Sequence, residues 1–155
     1  MGGDIAVRKA VPADAEKITD YNMRLARETE CKELDRALVL RGVRAVMDDP
    51  CKGFYLVAEK RDGKDGVIGQ LMVTFEWSDW RNKRFWWIQS AYVDGKFRNQ
   101  KIFTGLYKEV LRLARLAGDV CGLKLYVEER NESAKKVYEI LGMNRANHEI
   151  YEMLL

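Results

Sequence analysis

One strand–helix–strand segment constrains the fold of this sequence more than any other feature. Phe85 to Val93 (FWWIQSAYV) is rich in aromatic and β-branched residues and predicts a strand, and Leu123 to Val127 (LKLYV) predicts another. Between them, apolar residues recur at helical spacing from Ile102 to Ala114, and Gly118 ends the helix. This order predicts a right-handed crossover that joins two parallel strands of one sheet.

The rest of the chain predicts antiparallel strands and three more helices around this unit. Two strands, Gly53–Lys60 and Val67–Trp77, flank a polar turn with two glycines, which indicates a hairpin. The other predicted elements are a first strand at Ile5–Val11, helices near residues 15–25, 35–47 and 131–141, and a last strand at Glu149–Leu155. This order of elements predicts a mixed α/β sheet.

Charge and composition exclude several classes of protein. The chain has 155 residues, with 27 Lys and Arg against 24 Asp and Glu, and this net charge of +3 is too weak to indicate nucleic-acid binding. It lacks both the run of about 18 apolar residues that a membrane span needs and an apolar secretory segment near its start. Its three cysteines are scattered, without a CxxC pair. We therefore expect a cytoplasmic protein that binds no metal, nucleic acid or membrane.

Three segments of the chain resemble a known family. They are the opening VRKAVPADAEKI, the central QSAYVDGKFRNQKIFTGLYKEV and the later LYVEERNESAKKVYEILGM. Together they resemble the GCN5-related N-acetyltransferases from the first strand to the last. The resemblance implies an α/β (α+β) fold, with a single N-acetyltransferase domain over residues 1–155. In that fold a mixed, mostly antiparallel twisted sheet of six to seven strands carries about four helices and is splayed at a parallel strand pair.

The central segment resembles the family's acetyl-CoA motif, whose first position is Arg98 here. Lys101 and Phe103 replace its small residues, but a helix N-terminus binds phosphate through backbone N–H groups, which these residues retain. We expect both to have ordinary φ angles, so that neither position requires glycine, and we expect Phe103 to point into the core. The resemblance implies that acetyl-CoA contacts Ala91, Tyr92, Val93, Arg98, Asn99, Gln100, Lys101, Ile102, Phe103, Thr104 and Asn131.

The last segment is nearly intact and has Tyr138 at the position of the family's general acid. A protonated phenol can donate a proton to a leaving thiolate at neutral pH. Packing into the core is the alternative role for Tyr138. For Asn131, the alternatives are capping its own helix and binding the pantetheine arm of the cofactor.

The general base and the acceptor site are less clearly marked in the sequence. Many relatives carry a catalytic Glu in the strand that corresponds to Phe85–Val93, which here has no carboxylate. Glu76 is the candidate base; a solvated surface carboxylate and a water relay are the alternatives. Acidic and aromatic side chains would attract a cationic amine. The predicted acceptor residues are Glu28, Glu30, Trp77, Asp79 and Gln89.

The leading hypothesis from these residues is an acetyl-CoA-dependent N-acetyltransferase. The acceptor would be a primary amine of a small molecule or a peptide, which attacks directly in a ternary complex. The substitutions at Lys101 and Phe103 favour an alternative, a non-catalytic acyl-CoA-binding or regulatory module on the same fold. A transferase of longer acyl groups is a third hypothesis. A homodimer is the default oligomer, because two-fold dimers are the commonest.

Overall fold

The structure of the chain, a computed structural model, describes residues 5–155 as five strands and four α-helices. Two 3₁₀ turns, Pro12–Asp14 and Gly95–Phe97, precede the first and third helices. In chain order the elements are β1 (Ile5–Lys9), α1 (Ala15–Glu30), α2 (Arg36–Asp48), β2 (Phe54–Lys60), β3 (Val67–Ser78), β4 (Lys83–Val93), α3 (Ile102–Ala117), β5 (Val120–Leu125) and α4 (Glu132–Ile140).

The sheet has the strand order β1-β2-β3-β4-β5, and its neighbours are antiparallel except for β4 and β5. The parallel pair confirms the crossover prediction. The predicted strand Leu123–Val127 is three residues late, because pairing with β4 starts at Val120, opposite Arg84. It ends at Leu125, opposite Ile88.

The prediction of six to seven strands is wrong, since the sheet of residues 5–155 has five. The expected last strand, Glu149–Leu155, has no strand structure. Its large apolar residues from Ile150 to Leu154 are 66–90 % exposed, so the segment has no buried face to fix it against the sheet. Alternation of apolar and acidic residues is therefore not sufficient to form a strand here.

Helices cover both faces of the sheet. On one face, Leu106 and Val110 of α3 are buried in a core with residues such as Leu71 and Val73 of β3. On the other face, Ile18 of α1 belongs to a second buried core, with α2 and the neighbouring strands. Because both faces are buried, the first half of β3 is a nearly continuous apolar run, VIGQLMV. No helix among residues 5–155 is long and apolar enough to cross a membrane.

Candidate active site

The end of β4 lies where the sheet opens. Pairing with β5 stops at Ile88, while β4 continues to Val93. In this stretch Ser90 and Ala91 lie opposite a single β3 residue, Leu71, and form a β-bulge. Ser90 has a left-handed φ of 49°. Bulges are common beside active sites, where they redirect backbone groups, so this edge is the candidate active site.

The loop after the bulge leads to the N-terminus of α3, which is suited to an anion. α3 has no side-chain cap on its first N–H groups, whereas Asp35 caps α2 and Asn131 caps α4. Unpaired N–H groups and the helix dipole attract negative charge. Lys96 and Arg98 of the loop add two cations close by in sequence. Such an end can hold phosphate groups.

Lys101, the residue just before α3, corrects one expectation from the sequence. Its φ is 59° and its ψ is 22°, which is the left-handed region. Asn99, two residues earlier, is also left-handed, with φ of 64°. The expectation of an ordinary φ at Lys101 is therefore wrong, because this residue stands outside the helix, at its N-cap. Glycine would adopt this backbone without strain.

Glu28, which the sequence predicts to bind the acceptor, contacts two predicted cofactor residues, Tyr92 and Arg98. Its carboxylate lies 2.5 Å from Nη2 of Arg98 and accepts a hydrogen bond of 2.7 Å from the Tyr92 hydroxyl. These two contacts hold the pKa of Glu28 below its usual range. Arg98 also donates from Nε to the Val93 carbonyl. The predicted cofactor residues Tyr92 and Arg98 are thus joined to the last turns of α1.

Tyr138 faces the first turn of α3 from α4. Its ring lies edge-on to Phe103, with 5.6 Å between the centroids. Phe103 also packs against the core, as expected, and its ring centroid lies 6.4 Å from that of Tyr107. Burial raises the pKa of the Tyr138 phenol. Asn131 is confirmed as the N-cap of α4, because its Oδ1 accepts from the Ala134 N–H at 3.1 Å.

Glu76, the candidate base, is already paired on the sheet. Its Oε1 lies 2.8 Å from Nζ of Lys124, and its Oε2 accepts from the Trp87 indole N–H at 2.6 Å. Lys124 is the main cause of a lowered Glu76 pKa, and Trp87 adds to it. A carboxylate held in this way is a weak proton acceptor at neutral pH.

The other predicted acceptor residues are not brought together. Trp77 lies near the end of β3 and Asp79 in the β3–β4 turn, five and seven residues beyond Met72, the partner of Gln89. At about 3.3 Å per residue, Trp77 is about 17 Å along the strand from Met72. Gln89 donates from Nε2 to Oγ1 of Thr74 at 2.6 Å. Glu30 ends α1 and lies 2.5 Å from Nζ of Lys32.

This architecture matches known proteins. The sequence model of the acetyltransferase (GNAT) family matches residues 16–143. The chain belongs to the GNAT acetyltransferase family. It is also similar to a possible acetyltransferase from Clostridium difficile 630, with 40 % identity and a TM-score of 0.88 over 97 % of each chain. The search of curated proteins found no match.

More distant GNAT structures share the fold alone. A predicted acetyltransferase from Clostridium acetobutylicum, solved with acetyl-CoA, is 16 % identical, with a TM-score of 0.78 over 97 % of this chain and 96 % of that one. Glucosamine-6-phosphate N-acetyltransferase from Arabidopsis thaliana is 15 % identical, with a TM-score of 0.73 over 97 % of this chain and 98 % of that one.

Acetyl-CoA is the cofactor of this family, and the residues present suit it. The uncapped first turn of α3 offers N–H groups from Ile102, Phe103 and Thr104. Asn99 and Lys101, on either side of Gln100, both have left-handed conformations. The backbone at the start of α3 therefore offers groups that would suit a phosphate, although small residues are missing from the motif. We call this group of N–H donors the phosphate cradle.

Sequence reasoning missed the residues that hold the bulge in place. Gln70 of β3 is fully buried, and its Nε2 donates to Oδ1 of Asn22 at 2.7 Å and to the Ser90 carbonyl at 3.3 Å. The one available signal was a lone polar residue within the apolar run VIGQLMV. A buried amide needs partners, so such a residue indicates a specific internal contact.

Proposed function

We propose that this chain is an acetyl-CoA-dependent N-acetyltransferase, in which a primary amine attacks directly in a ternary complex. The observation that carries the proposal is the position of Tyr138, which packs on Phe103 at the cofactor end of α3. Its hydroxyl has no hydrogen-bond partner within residues 5–155. A phenol without a partner at this place is available to donate a proton to a leaving group.

Two groups of residues would bind different parts of the cofactor, its phosphates and its thioester. Acetyl-CoA, when bound, supplies an acetyl group on a thioester that an acceptor amine can take up. The N–H groups of Ile102, Phe103 and Thr104 would hold its phosphates, with Arg98 as the neighbouring cation. Backbone groups from Ala91 of the bulge to Val93 at the end of β4 would orient the thioester carbonyl.

Proton handling in the proposal depends on Tyr138. Its pKa is raised by burial, so the phenol keeps its proton throughout the neutral range. The amine nitrogen forms a bond to the acetyl carbon as the bond from that carbon to sulfur breaks. Tyr138 would give its proton to the leaving sulfur and regain one from water, and the surplus proton of the amine would go to water. Glu76 has no part in this scheme, because Lys124 and Trp87 occupy its carboxylate.

The test is the Tyr138→Phe variant, assayed with acetyl-CoA and a panel of primary amines. We expect kcat to fall about 100-fold, because the proton donor is removed while the ring remains packed on Phe103. The affinity for acetyl-CoA, measured by calorimetry, should not change. Tyr107→Phe is the matched control, since Tyr107 packs near the same phenylalanine from within α3, and it should keep wild-type kcat.

Two results would count against the proposal. Full activity in Tyr138→Phe would remove Tyr138 from the mechanism. Tight binding of acetyl-CoA by the wild-type chain, without acetylation of any amine, would favour the non-catalytic acyl-CoA-binding module instead.

A further inference from the structure

A cavity of about 510 Å³ lies between α1, α2 and the sheet, and it reaches the bulge of β4. Ser90 of the bulge is one of its lining residues, which places the cavity beside the candidate active site. Apolar side chains form most of its wall; they include Leu25, Leu34, Val39, Val46 and Met72. An acceptor whose amine is at the bulge would therefore place its body among aliphatic side chains.

Charge is scarce around this cavity. Among the described residues that line it, only Glu30 and Tyr55 have ionisable side chains. Glu30 is exposed and paired with Lys32, and burial raises the pKa of the Tyr55 phenol, which therefore stays neutral. The polar lining near the sheet is neutral as well: Asn22, whose Oδ1 accepts from Gln70, and Ser90. The described lining residues thus include no unpaired carboxylate that could hold an ammonium ion.

From these observations we infer that the acceptor is a molecule with a weakly basic α-amino group and an apolar side chain. The cavity binds the side chain, and the amine binds in its neutral form. The inference rests on the proposed function and names the acceptor class for the same site. Moving an ammonium ion into apolar surroundings is unfavourable, so the ion releases its proton to water at the entrance and enters neutral.

The basicity of the amine determines how easily this happens. An α-amino group has a pKa of about 7.7–8.0, against about 10.4 for a lysine-type amine. At neutral pH its neutral fraction is therefore roughly several hundred times larger. A site without a free carboxylate base can use the first kind of amine far better than the second. Glu76 does not line the cavity, and its carboxylate is paired with Lys124 and Trp87, so it does not supply the missing base.

Three amines separate the two parts of the inference, the apolar body and the weak basicity. Leucinamide has both, serinamide keeps the α-amino group on a polar body, and 3-methylbutylamine keeps a branched apolar body on a strongly basic amine. At pH 7.5, with saturating acetyl-CoA, we expect kcat/KM for leucinamide to exceed that of either other amine at least tenfold. Faster acetylation of serinamide or 3-methylbutylamine would overturn the inference and leave the proposed function standing.

Substitution at the rim of the cavity tests the location. Leu34 lines the cavity and is 37 % exposed, so Leu34→Ser should fold normally. It should raise KM for leucinamide about fivefold without changing KM for acetyl-CoA. Leu38→Ser is the matched control, because Leu38 is 59 % exposed and is not part of the lining. Equal effects of the two variants would contradict the assignment of the cavity.

Calorimetry supplies a readout that does not depend on turnover. Leucinamide titrated at pH 7 into the protein with CoA should release a proton to the buffer, seen as a binding enthalpy that changes with the ionisation enthalpy of the buffer. If no amine is acetylated, the proposed function fails, and this titration still decides the inference. Binding with proton release supports it, and no binding, or binding without release, overturns it.

Discussion

Lys101 combines a strained backbone conformation with a positive charge beside the phosphate cradle. The loop before α3 turns through a left-handed conformation at this position, with φ of 59°. A side chain in that region costs about 1–2 kcal/mol relative to ordinary backbone conformations. The side chain adds a positive charge beside the phosphate cradle, so strain and charge favour different residues at this position.

Replacing Lys101 by glycine should therefore stabilise the chain. Removing the strain favours the folded state by more than the greater flexibility of glycine in the unfolded chain opposes it, since that flexibility costs about 0.4–1 kcal/mol. We therefore expect the free energy of unfolding to rise by about 0.5–1 kcal/mol. Urea unfolding measures it. Lys101→Ala is the control, because alanine also lacks the charge but keeps the strain; an equal gain in that variant would show that charge, not φ, is responsible.

At the scale of an element, α1 connects the two halves of the site. Residues of its inner face line the acceptor cavity, and Arg24 and Glu28 reach the cofactor loop, at Asp94 and Arg98 respectively. Glu28 occupies the same guanidinium that a phosphate of the cofactor would use. In the described structure, the end of α1 therefore competes with an anionic ligand for Arg98.

The Glu28→Gln variant should bind CoA more tightly, by about threefold to fivefold. Exposed ion pairs are worth at most about 1 kcal/mol, and their loss here frees Arg98 for the ligand. Calorimetry with CoA measures the change. Glu33→Gln is the control, since Glu33 pairs with Arg27 beyond the same helix end and has no contact with the loop. Weaker binding in Glu28→Gln would mean that Glu28 orients Arg98 instead of competing for it.

The start of α1 is fixed to β1 by a buried carboxylate. Asp14 accepts hydrogen bonds from Nη1 of Arg8 at 2.7 Å and from the Val11 N–H at 2.8 Å, and Arg8 also contacts Glu59 of β2. Burial acts to raise the pKa of Asp14, but the hydrogen bonds from Arg8 and Val11 outweigh it and lower the pKa. Because the folded-state pKa is depressed, this contribution to stability is complete above about pH 3.9, the unfolded value.

Asp14→Asn should lower the free energy of unfolding by about 2 kcal/mol at pH 7, as expected for loss of a charged, partly buried hydrogen-bonded group. The difference from wild type should shrink as the pH falls below about 4, through the depressed pKa of Asp14. Urea titrations at pH 7 and pH 3 compare the two. The control is Asp62→Asn, in the exposed β2–β3 turn, which should not change the free energy of unfolding. If the difference between wild type and Asp14→Asn stays constant with pH, the charge of the Asp14 carboxylate is not its cause.

At the scale of the whole molecule, local sequence patterns predicted the elements well and the tail poorly. The helix from Ile102 and its two flanking strands predicted a parallel pair, and β4 and β5 form it. The last seven residues alternate too, yet they remain exposed, because strand formation depends on a partner edge and a buried face that no local pattern can report.

Candidate site residues could be predicted where a sequence motif contains them. Contacts between residues far apart in the sequence could not. Tyr138 and Asn131 followed from their segment, but the pairing of Glu28 with Arg98 joins residues 70 positions apart. Glu76 looked free in sequence because Lys124 reaches it only once β5 lies beside β4. The contacts of Glu28 with Tyr92 and Arg98 could not be predicted for the same physical reason, because ion pairs form between residues that are close in space and not in sequence.

The position of α1 has a thermodynamic consequence for the molecule. One rigid helix lines the amine cavity and also holds the arginine of the phosphate loop, so a shift that releases Arg98 also changes the cavity wall. Any such coupling is reciprocal: the factor by which one ligand alters the affinity for the other is the same in both directions. Evolution of a new acceptor preference through α1 would therefore also retune the affinity for CoA, even if every residue of the phosphate loop stayed the same.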